Sequence, residues 1–375
     1  MFFMVGQFRA MQNKSSALDC LQSDSLFDGR QVAPMTQAPD IDPADTPRQR
    51  VLSGMRPTGA LHLGHYHGAL KNWVRLQSQF DCFFFVADWH AMTTHYQDRA
   101  DIERNVYDMV IDWLAAGIDP EQSTLFIQSR MPEHAELFTL LAMSTPLSWL
   151  ERMPSYKEQL GRNRDSATYG FLGYPLLQAA DILIYKAAYV PVGEDQAPHV
   201  EVTREVARRF NHIYCPGQPI LPEPQALLTE TARLSGLDGE KMSKSHGNAV
   251  AMRDAPEVVE HKIRTMPTDP QRVHRKDAGD PACCPVWPFH QLYSSADTQA
   301  WAAQGCRLAG IGCLDCKQPV IDAIKQEQLG WHERAEQYLS NPKQVQWIVE
   351  VGAERARAVA RKTMREVRTA MGLAY

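Results

Sequence analysis

From Arg50 onward the chain alternates between short apolar runs and longer segments whose apolar residues return every three or four positions. The short runs at 51–53, 82–87, 124–128 and 189–192 have strand length, and helical patterns fall near 64–77, 101–116, 133–144, 174–187 and 198–211. In 101–116, Ile102, Val106, Val110 and Trp113 share one face at spacings of 4, 4 and 3; in 198–211, Val202, Val206 and Phe210 recur every four residues. Strands alternating with helices predict an α/β fold, a Rossmann-like doubly wound parallel sheet covered by helices on both faces. Ligands of such sheets bind at the carboxyl ends of the strands. After about residue 255 the strand signals fade and helical patterns run through 372. The expected organisation is a disordered extension over 1–48, a Rossmann-like domain over 49–255 and a mainly α-helical domain over 256–375. The extension lacks a sustained period and ends in a Pro- and Asp-rich stretch at 33–47 that disfavours packing.

Composition narrows the function classes. The chain has 375 residues, 44% hydrophobic and 22% charged, with a net charge of −5, which excludes a disordered or collagen-like chain. No apolar run approaches the roughly 20 residues a spanning helix needs. The opening Met1-Phe2-Phe3-Met4-Val5 has no basic segment before it and is broken by Gly6, Gln7 and Arg9, so a secretory signal is not expected and the cytoplasm is the expected location. Eight cysteines are too few for a disulfide scaffold in a cytosolic chain of this length, and their clustering toward the C-terminal end points to metal or redox chemistry.

Two segments carry phosphate chemistry. Gly54-Met55-Arg56-Pro57-Thr58-Gly59-Ala60-Leu61-His62-Leu63-Gly64-His65 follows the first predicted strand and opens a helix. Two imidazoles three residues apart at a helix N-terminus, with glycine between them, form an anion site suited to a phosphoryl group. The plainer alternative is a pair of surface histidines in a Gly-rich turn. The second segment, Glu240-Lys241-Met242-Ser243-Lys244-Ser245-His246-Gly247-Asn248, sets two lysines on a loop flanked by Gly236, Gly239 and Gly247. Such a loop can bring ammonium groups onto a triphosphate, or it can be a solvated polar loop.

With KMSKS downstream of HxGH, the chain resembles the class I aminoacyl-tRNA synthetases, whose signature pair is HIGH and KMSKS; the first element here has Leu63 in place of Ile and the second is unaltered. Tyr174-Pro175-Leu176-Leu177-Gln178-Ala179-Ala180-Asp181-Ile182-Leu183, followed by Val190-Pro191-Val192-Gly193-Glu194-Asp195-Gln196 and His199, is similar to the tryptophanyl branch of that family. The likeness spans five motifs from about 51 to 375. It implies ATP-dependent activation with magnesium: the tryptophan carboxylate attacks the α-phosphate, giving tryptophanyl-adenylate and pyrophosphate, and tRNA(Trp) then takes the aminoacyl group. Positioning and electrostatic stabilisation then carry catalysis, without a covalent enzyme intermediate. His62, His65, Lys157, Lys241 and Lys244 are the implied catalytic contacts, and Arg56, Thr58, Gly64, Met242 and Ser243 complete the implied ATP site, with Gly193 and Asp195 on the ribose side. Tyr174 and Gln196 would hold the substrate ammonium. The indole N–H only donates, so selection requires a buried acceptor, for which the resemblance offers Asp181. Gln178 departs from the apolar residue usual at that place and gives a Gln-x-x-Asp pair that also resembles the tyrosyl enzymes, leaving tyrosine as the alternative substrate. A non-enzymatic paralogue that binds tRNA or amino acid, and a small-molecule adenylyltransferase, are the other readings. The family resemblance also implies a homodimer.

Cys306, Cys313 and Cys316 follow C-x6-C-x2-C, with Cys283-Cys284-Pro285 upstream. Four thiolates can hold an iron–sulfur cluster or a structural zinc, or can be inert buried thiols. A subset of the tryptophanyl branch carries a [4Fe–4S] cluster on C-x22-C-x6-C-x2-C; spacing favours Cys283 as the first ligand, and the Pro-Val register that follows favours Cys284. Despite the acidic total, basic residues concentrate at 353–372 (Arg355, Arg357, Arg361, Lys362, Arg365, Arg368) and at 261–276, either as nucleic-acid contacts or as salt-bridged faces.

Overall fold

The computed structural model describes residues 48–375 apart from 98, 163–166, 194–195, 229–233 and 244–245. The extension expected over 1–48 therefore lies, but for Arg48, outside the described residues, as do Asp195 and Lys244.

The order of elements is β1 (Arg50–Met55), α1 (Leu63–His65), a π-helical stretch (Tyr66–Leu70), α2 (Lys71–Leu76), β2 (Asp81–Val86), α3 (Asp88–His95), α4 (Arg99–Ala116) and β3 (Ser123–Ile127). Then come α5 (Pro132–Ala142), α6 (Leu147–Glu151), α7 (Pro154–Arg162), α8 (Tyr169–Ile184), β4 (Tyr189–Val192), α9 (Ala197–Tyr214) and β5 (Gln225–Leu228). The remainder is helical: α10 (Pro256–Thr265), α11 (Trp287–Tyr293), α12 (Ala296–Arg307), α13 (Cys313–Leu339) and α14 (Pro342–Ala370).

All strand pairings are parallel and the order is β3-β2-β1-β4-β5, the doubly wound arrangement expected. The side chains of β2 and β3 are buried on both faces, which is why these strands read as continuous apolar runs. One face packs Val51, Phe84 and Leu125 against α2 and α4, with Trp73 stacked on Phe84 at 4.4 Å. The other packs Leu52, Phe83, Phe85 and Phe126 against α5, α8 and α9.

Besides the short helices α6 and α7, which the pattern did not mark, three features depart from the pattern-based reading. The strand β5 was not expected, because its four residues lie at the sheet edge without a full apolar face. The helix α3 was missed because polar residues dominate it. The helix expected over 64–77 is interrupted by the π-helical stretch, whose His67 Nε2 reaches Tyr293 Oη at 2.7 Å and Glu327 Oε2 at 3.1 Å.

The last helix returns to the sheet. At Gly352 the α14 backbone lies so close to β3 that a Cβ would sit 1.8 Å from the Leu125 carbonyl oxygen. Three of its basic residues turn toward α5 and the residues just before it: Arg368 pairs with both oxygens of Glu136 at 2.6 Å, Arg361 meets Glu133 at 3.3 Å, and Arg357 donates to the Arg130 carbonyl at 2.7 Å. For these arginines the salt-bridged and carbonyl-bound face, and not a free basic surface, is what the fold contains.

Candidate functional site

The loops after β1, β2, β3 and β4 leave the same edge of the sheet. The order of winding reverses between β1 and β4, which are paired in register only at Val51 and Tyr189. This is the switch point at which doubly wound sheets open for ligands.

On the β1 side, His62 and His65 stack with ring centroids 3.7 Å apart, and the His62 N–H points to His65 Nδ1 at 3.3 Å. Gly64 allows this approach, since a Cβ there would lie 3.1 Å from the His62 ring. The segment beyond KMSKS pairs directly with this turn: Leu63 N donates to Val250 O, Met252 N donates to Leu61 O, and His62 bridges Ala251. Met242 is buried, its Cβ 3.7 Å from the position a Gly64 Cβ would take. The two motifs are thus one hydrogen-bonded unit. Asn248, 3% exposed, pins the loop by accepting from Ser243 N at 2.7 Å and donating to Asp238 and the Lys241 carbonyl. Lys241 itself is exposed.

Asp112 supports the same unit from α4. Its buried carboxylate accepts from Leu61 N at 3.0 Å and from Arg253 at 2.5 Å. A cleft of about 410 Å³ opens beside it, lined by Thr58, Gly59, His95, Arg104 and Asp108 among others. Arg56 donates to Thr94 at 3.0 Å; burial lowers its guanidinium to about 10, so it stays charged at neutral pH. Lys157 is exposed on α7.

Across the switch point, Asp181 on α8 is fully buried. His134 Nδ1 lies 2.6 Å from its Oδ1, His90 Nε2 2.7 Å from its Oδ2, and Gln128 Nε2 2.9 Å from both oxygens. Burial works against ionisation, but the His134 and His90 contacts outweigh it and hold the carboxyl below its usual range. One turn earlier, Gln178 is also fully buried, and neither its Oε1 nor its Nε2 has a hydrogen-bond partner among the described residues. Tyr174 shares this face; its hydroxyl bridges Ser155 Oγ at 2.6 Å and His199 Nε2 at 2.7 Å, and burial pushes it up to about 12. An apolar cleft of about 470 Å³ opens beside Tyr174 and Leu177, walled by Trp89, Met92 and Phe138. Gly193 follows β4, and its carbonyl accepts from the Gln196 N–H at 3.0 Å.

Asp181, Gln178 and Tyr174, named from the sequence, are brought together on one face of α8, while the sequence reading did not mark His90, Gln128, His134, Asp112 and Asn248 as supports. The available signal was position: His90, Gln128 and His134 each follow closely on the carboxyl end of a strand.

In the C-terminal region Cys284, Cys306, Cys313 and Cys316 are free thiols, and three of them perturb the fourth. Burial first, then the neighbouring Cys284, Cys306 and Cys313, raise Cys316 to about 12. Cys283 is not one of the free thiols, and its Sγ lies 3.9 Å from Asp280 Oδ2. His290 Nε2 lies 3.3 Å from Cys316 Sγ, and Arg272 bears on Cys306. Among the described residues, no three His, Cys, Asp or Glu side chains are drawn together closely enough to hold a metal ion as placed. No helix among the described residues is long and apolar enough to cross a membrane.

Comparison with known proteins gives a consistent picture. The sequence pattern of the family described as tRNA synthetases class I (W and Y) matches residues 44–327. The tryptophan–tRNA ligase of Ralstonia nicotianae is 55% identical, over 87% of this chain and 99% of its own length. That of Thermotoga maritima is 49% identical, over 87% of this chain and 100% of its own length. Among solved structures, tryptophanyl-tRNA synthetase from Campylobacter jejuni, complexed with ADP and tryptophan, superposes with a TM-score of 0.77 at 32% identity, covering 86% of this chain and all of its own.

Proposed function

The chain belongs to the class I tRNA synthetases of the tryptophan and tyrosine type, and from that premise we propose a role for each part of the site. Its activity is tryptophan–tRNA ligation: tryptophan and ATP give tryptophanyl-adenylate and pyrophosphate, and the aminoacyl group passes to tRNA(Trp). The observation that carries the site assignment is the joining of the two motifs, with Leu63 N bonded to Val250 O and His62 bridged to Ala251.

In this reading His62, His65 and the Gly64 backbone receive the ATP phosphates, helped by Arg56 and Thr58 from the loop after β1. Lys241 and Lys244, with Lys157 from α7, neutralise charge that builds on the α-phosphate and the departing pyrophosphate. Magnesium accompanies ATP. Met242 and Ser243 seat the loop, and Gly193 and Asp195 face the ribose. Cations and donors at fixed positions suit an in-line displacement that needs no enzyme nucleophile.

Asp181 accepts the indole N–H. Ionised and buried, it can only accept, so an amino acid without a donor at that point leaves it under-paired. Gln178 and Gln196 hold the substrate ammonium together with Tyr174. The buried, unpaired Gln178 amide supports this, because such a group is costly unless something polar meets it. The enzyme acts as a homodimer in the cytoplasm.

The four-thiol group fits an iron–sulfur cluster by its donor chemistry. Cys284, Cys306 and Cys313 lie near enough to bear on Cys316, Cys313 and Cys316 lie in the first turn of α13, and Arg272 and Lys317 set positive charge nearby. These residues would hold a [4Fe–4S] cluster serving as a structural clasp on the surface that reads the anticodon. Anaerobic purification followed by iron and sulfide analysis tests this; four irons per chain are expected, and stoichiometric zinc or no metal would overturn it.

Amino-acid-dependent ATP–pyrophosphate exchange tests the catalytic reading. Exchange driven by tryptophan and lost in Asp181→Ala is expected; exchange driven by tyrosine would overturn the substrate.

A further inference from the structure

The carboxylate assigned to the indole is held by a side chain that no motif marks. His134 stands in the first turn of α5, is fully buried, and bonds on both sides: Nδ1 to Asp181 Oδ1 and Nε2 to Tyr185 Oη, each at 2.6 Å. An ionised carboxylate only accepts, so the proton on this imidazole belongs on Nδ1. The neutral ring then accepts at Nε2, and the Tyr185 hydroxyl must donate to it. Tyr185 keeps its proton, because burial and the nearby Asp181 and Glu133 charges raise it well above its ordinary value. The chain of bonds thus has one consistent direction, from Tyr185 through His134 to Asp181.

Tyr185 is itself immobilised. It is 0% exposed and packs against Phe83 and Phe126 at ring-centroid distances of 5.0 and 5.4 Å. His90 approaches the other carboxylate oxygen from α3, and Gln128 comes from the end of β3. Three donor groups from three elements fix the carboxylate plane. They bring three N–H donors to about four lone-pair sites, and the Gln128 amide is shared between the two oxygens.

We propose that His134, anchored by Tyr185, is a positioning residue that fixes the orientation of the Asp181 carboxylate and thereby sets the preference for an amino acid carrying an N–H donor. The inference rests on the reading of Asp181 as the indole acceptor. His134 touches no reacting atom; it acts through the orientation of Asp181. Its loss therefore weakens tryptophan more than an analogue of the same shape that lacks the N–H.

The test is ATP–pyrophosphate exchange with tryptophan and with β-(3-benzothienyl)alanine, in which sulfur replaces the indole nitrogen. The proteins are the wild type, His134→Leu, His134→Asn, Tyr185→Phe and Asp181→Asn, each checked for folding by circular dichroism and thermal melting. His134→Leu is expected to lower kcat/KM for tryptophan about tenfold or more, chiefly through KM, while the analogue changes by less than about threefold. His134→Asn, which can still present a donor near the Nδ1 position, is expected to recover part of the discrimination. Tyr185→Phe removes one oxygen and is expected to lose severalfold of it; this variant keeps the test decisive if His134→Leu does not fold. Equal losses for both substrates in the folded variants, or unchanged discrimination while Asp181→Asn abolishes it, would overturn the role of His134 and leave the indole reading standing. Unchanged discrimination in Asp181→Asn would overturn that reading itself, and the inference with it.

Discussion

The two ends of the site are built on opposite principles. Around Asp181 the charge is fully buried and met by His134, His90 and Gln128 at 2.6–2.9 Å. Around the phosphate motifs the backbone is tightly joined, but Lys241 and Lys157 are exposed. The contrast follows from the two tasks. Choosing one amino acid requires groups whose mispairing is expensive, and that demands burial and fixed geometry. Stabilising a triphosphate during displacement requires cations that engage charge as it develops, a task the proposed reading gives to exposed ammonium groups such as that of Lys241.

Several substitutions separate the two ends, beginning with the largest effect. Lys241→Ala is expected to lower kcat for pyrophosphate exchange by about 10² to 10³, the scale of removing one donor to a developing anion, with the KM for tryptophan within about threefold of wild type. A comparable rise in that KM would erase the distinction. Asn248→Ala releases the bonds from Ser243 N, to Asp238 and to the Lys241 carbonyl, and is expected to cost about tenfold in kcat and to raise the KM for ATP.

Gln178→Met sharpens the comparison by moving two readouts in opposite directions. An apolar side chain of similar length removes a buried amide that lacks a partner, so the free protein is expected to melt a few degrees higher. The same change is expected to raise the KM for tryptophan severalfold; a lower melting temperature would show that the amide is satisfied in the free protein.

The smallest effect concerns pH. Burial is the largest influence on His90 and lowers it from its ordinary 6.5, so the folded state binds its proton less well than the unfolded chain does. The resulting stability is fully present above about 6.5 and is lost as pH falls through that value toward the folded one. Asp181, held below its ordinary 3.8, adds stability above that value that is lost at still lower pH. Urea unfolding followed from pH 7.5 to 5.5 is expected to show stability declining toward acid, with a shallower slope in His90→Gln; an unchanged slope would remove His90 as the source.

How much of this was legible in the sequence depends on range. Four of the five strands, β1 to β4, announced themselves as apolar runs, and the phosphate end was legible because HxGH and KMSKS are local patterns. Asp181 stood out as a carboxylate among Leu176, Leu177, Ile182 and Leu183. Its supports did not, because His134 lies 47 residues and His90 lies 91 residues away in the chain, with no periodic spacing to connect them. The closing of α14 onto β3 was likewise invisible, since Gly352 reads as an ordinary interruption of a helical pattern until the Leu125 carbonyl is seen against it.

Calorimetric titration of tryptophan into the free protein, without ATP, tests most directly whether the amino-acid end is complete on its own. Tryptophan is expected to bind the wild type and Lys241→Ala with affinities within about twofold, and to bind Asp181→Asn at least about tenfold more weakly. Tryptophan that binds only when ATP is present, or that Lys241→Ala weakens as much as Asp181→Asn does, would contradict the account.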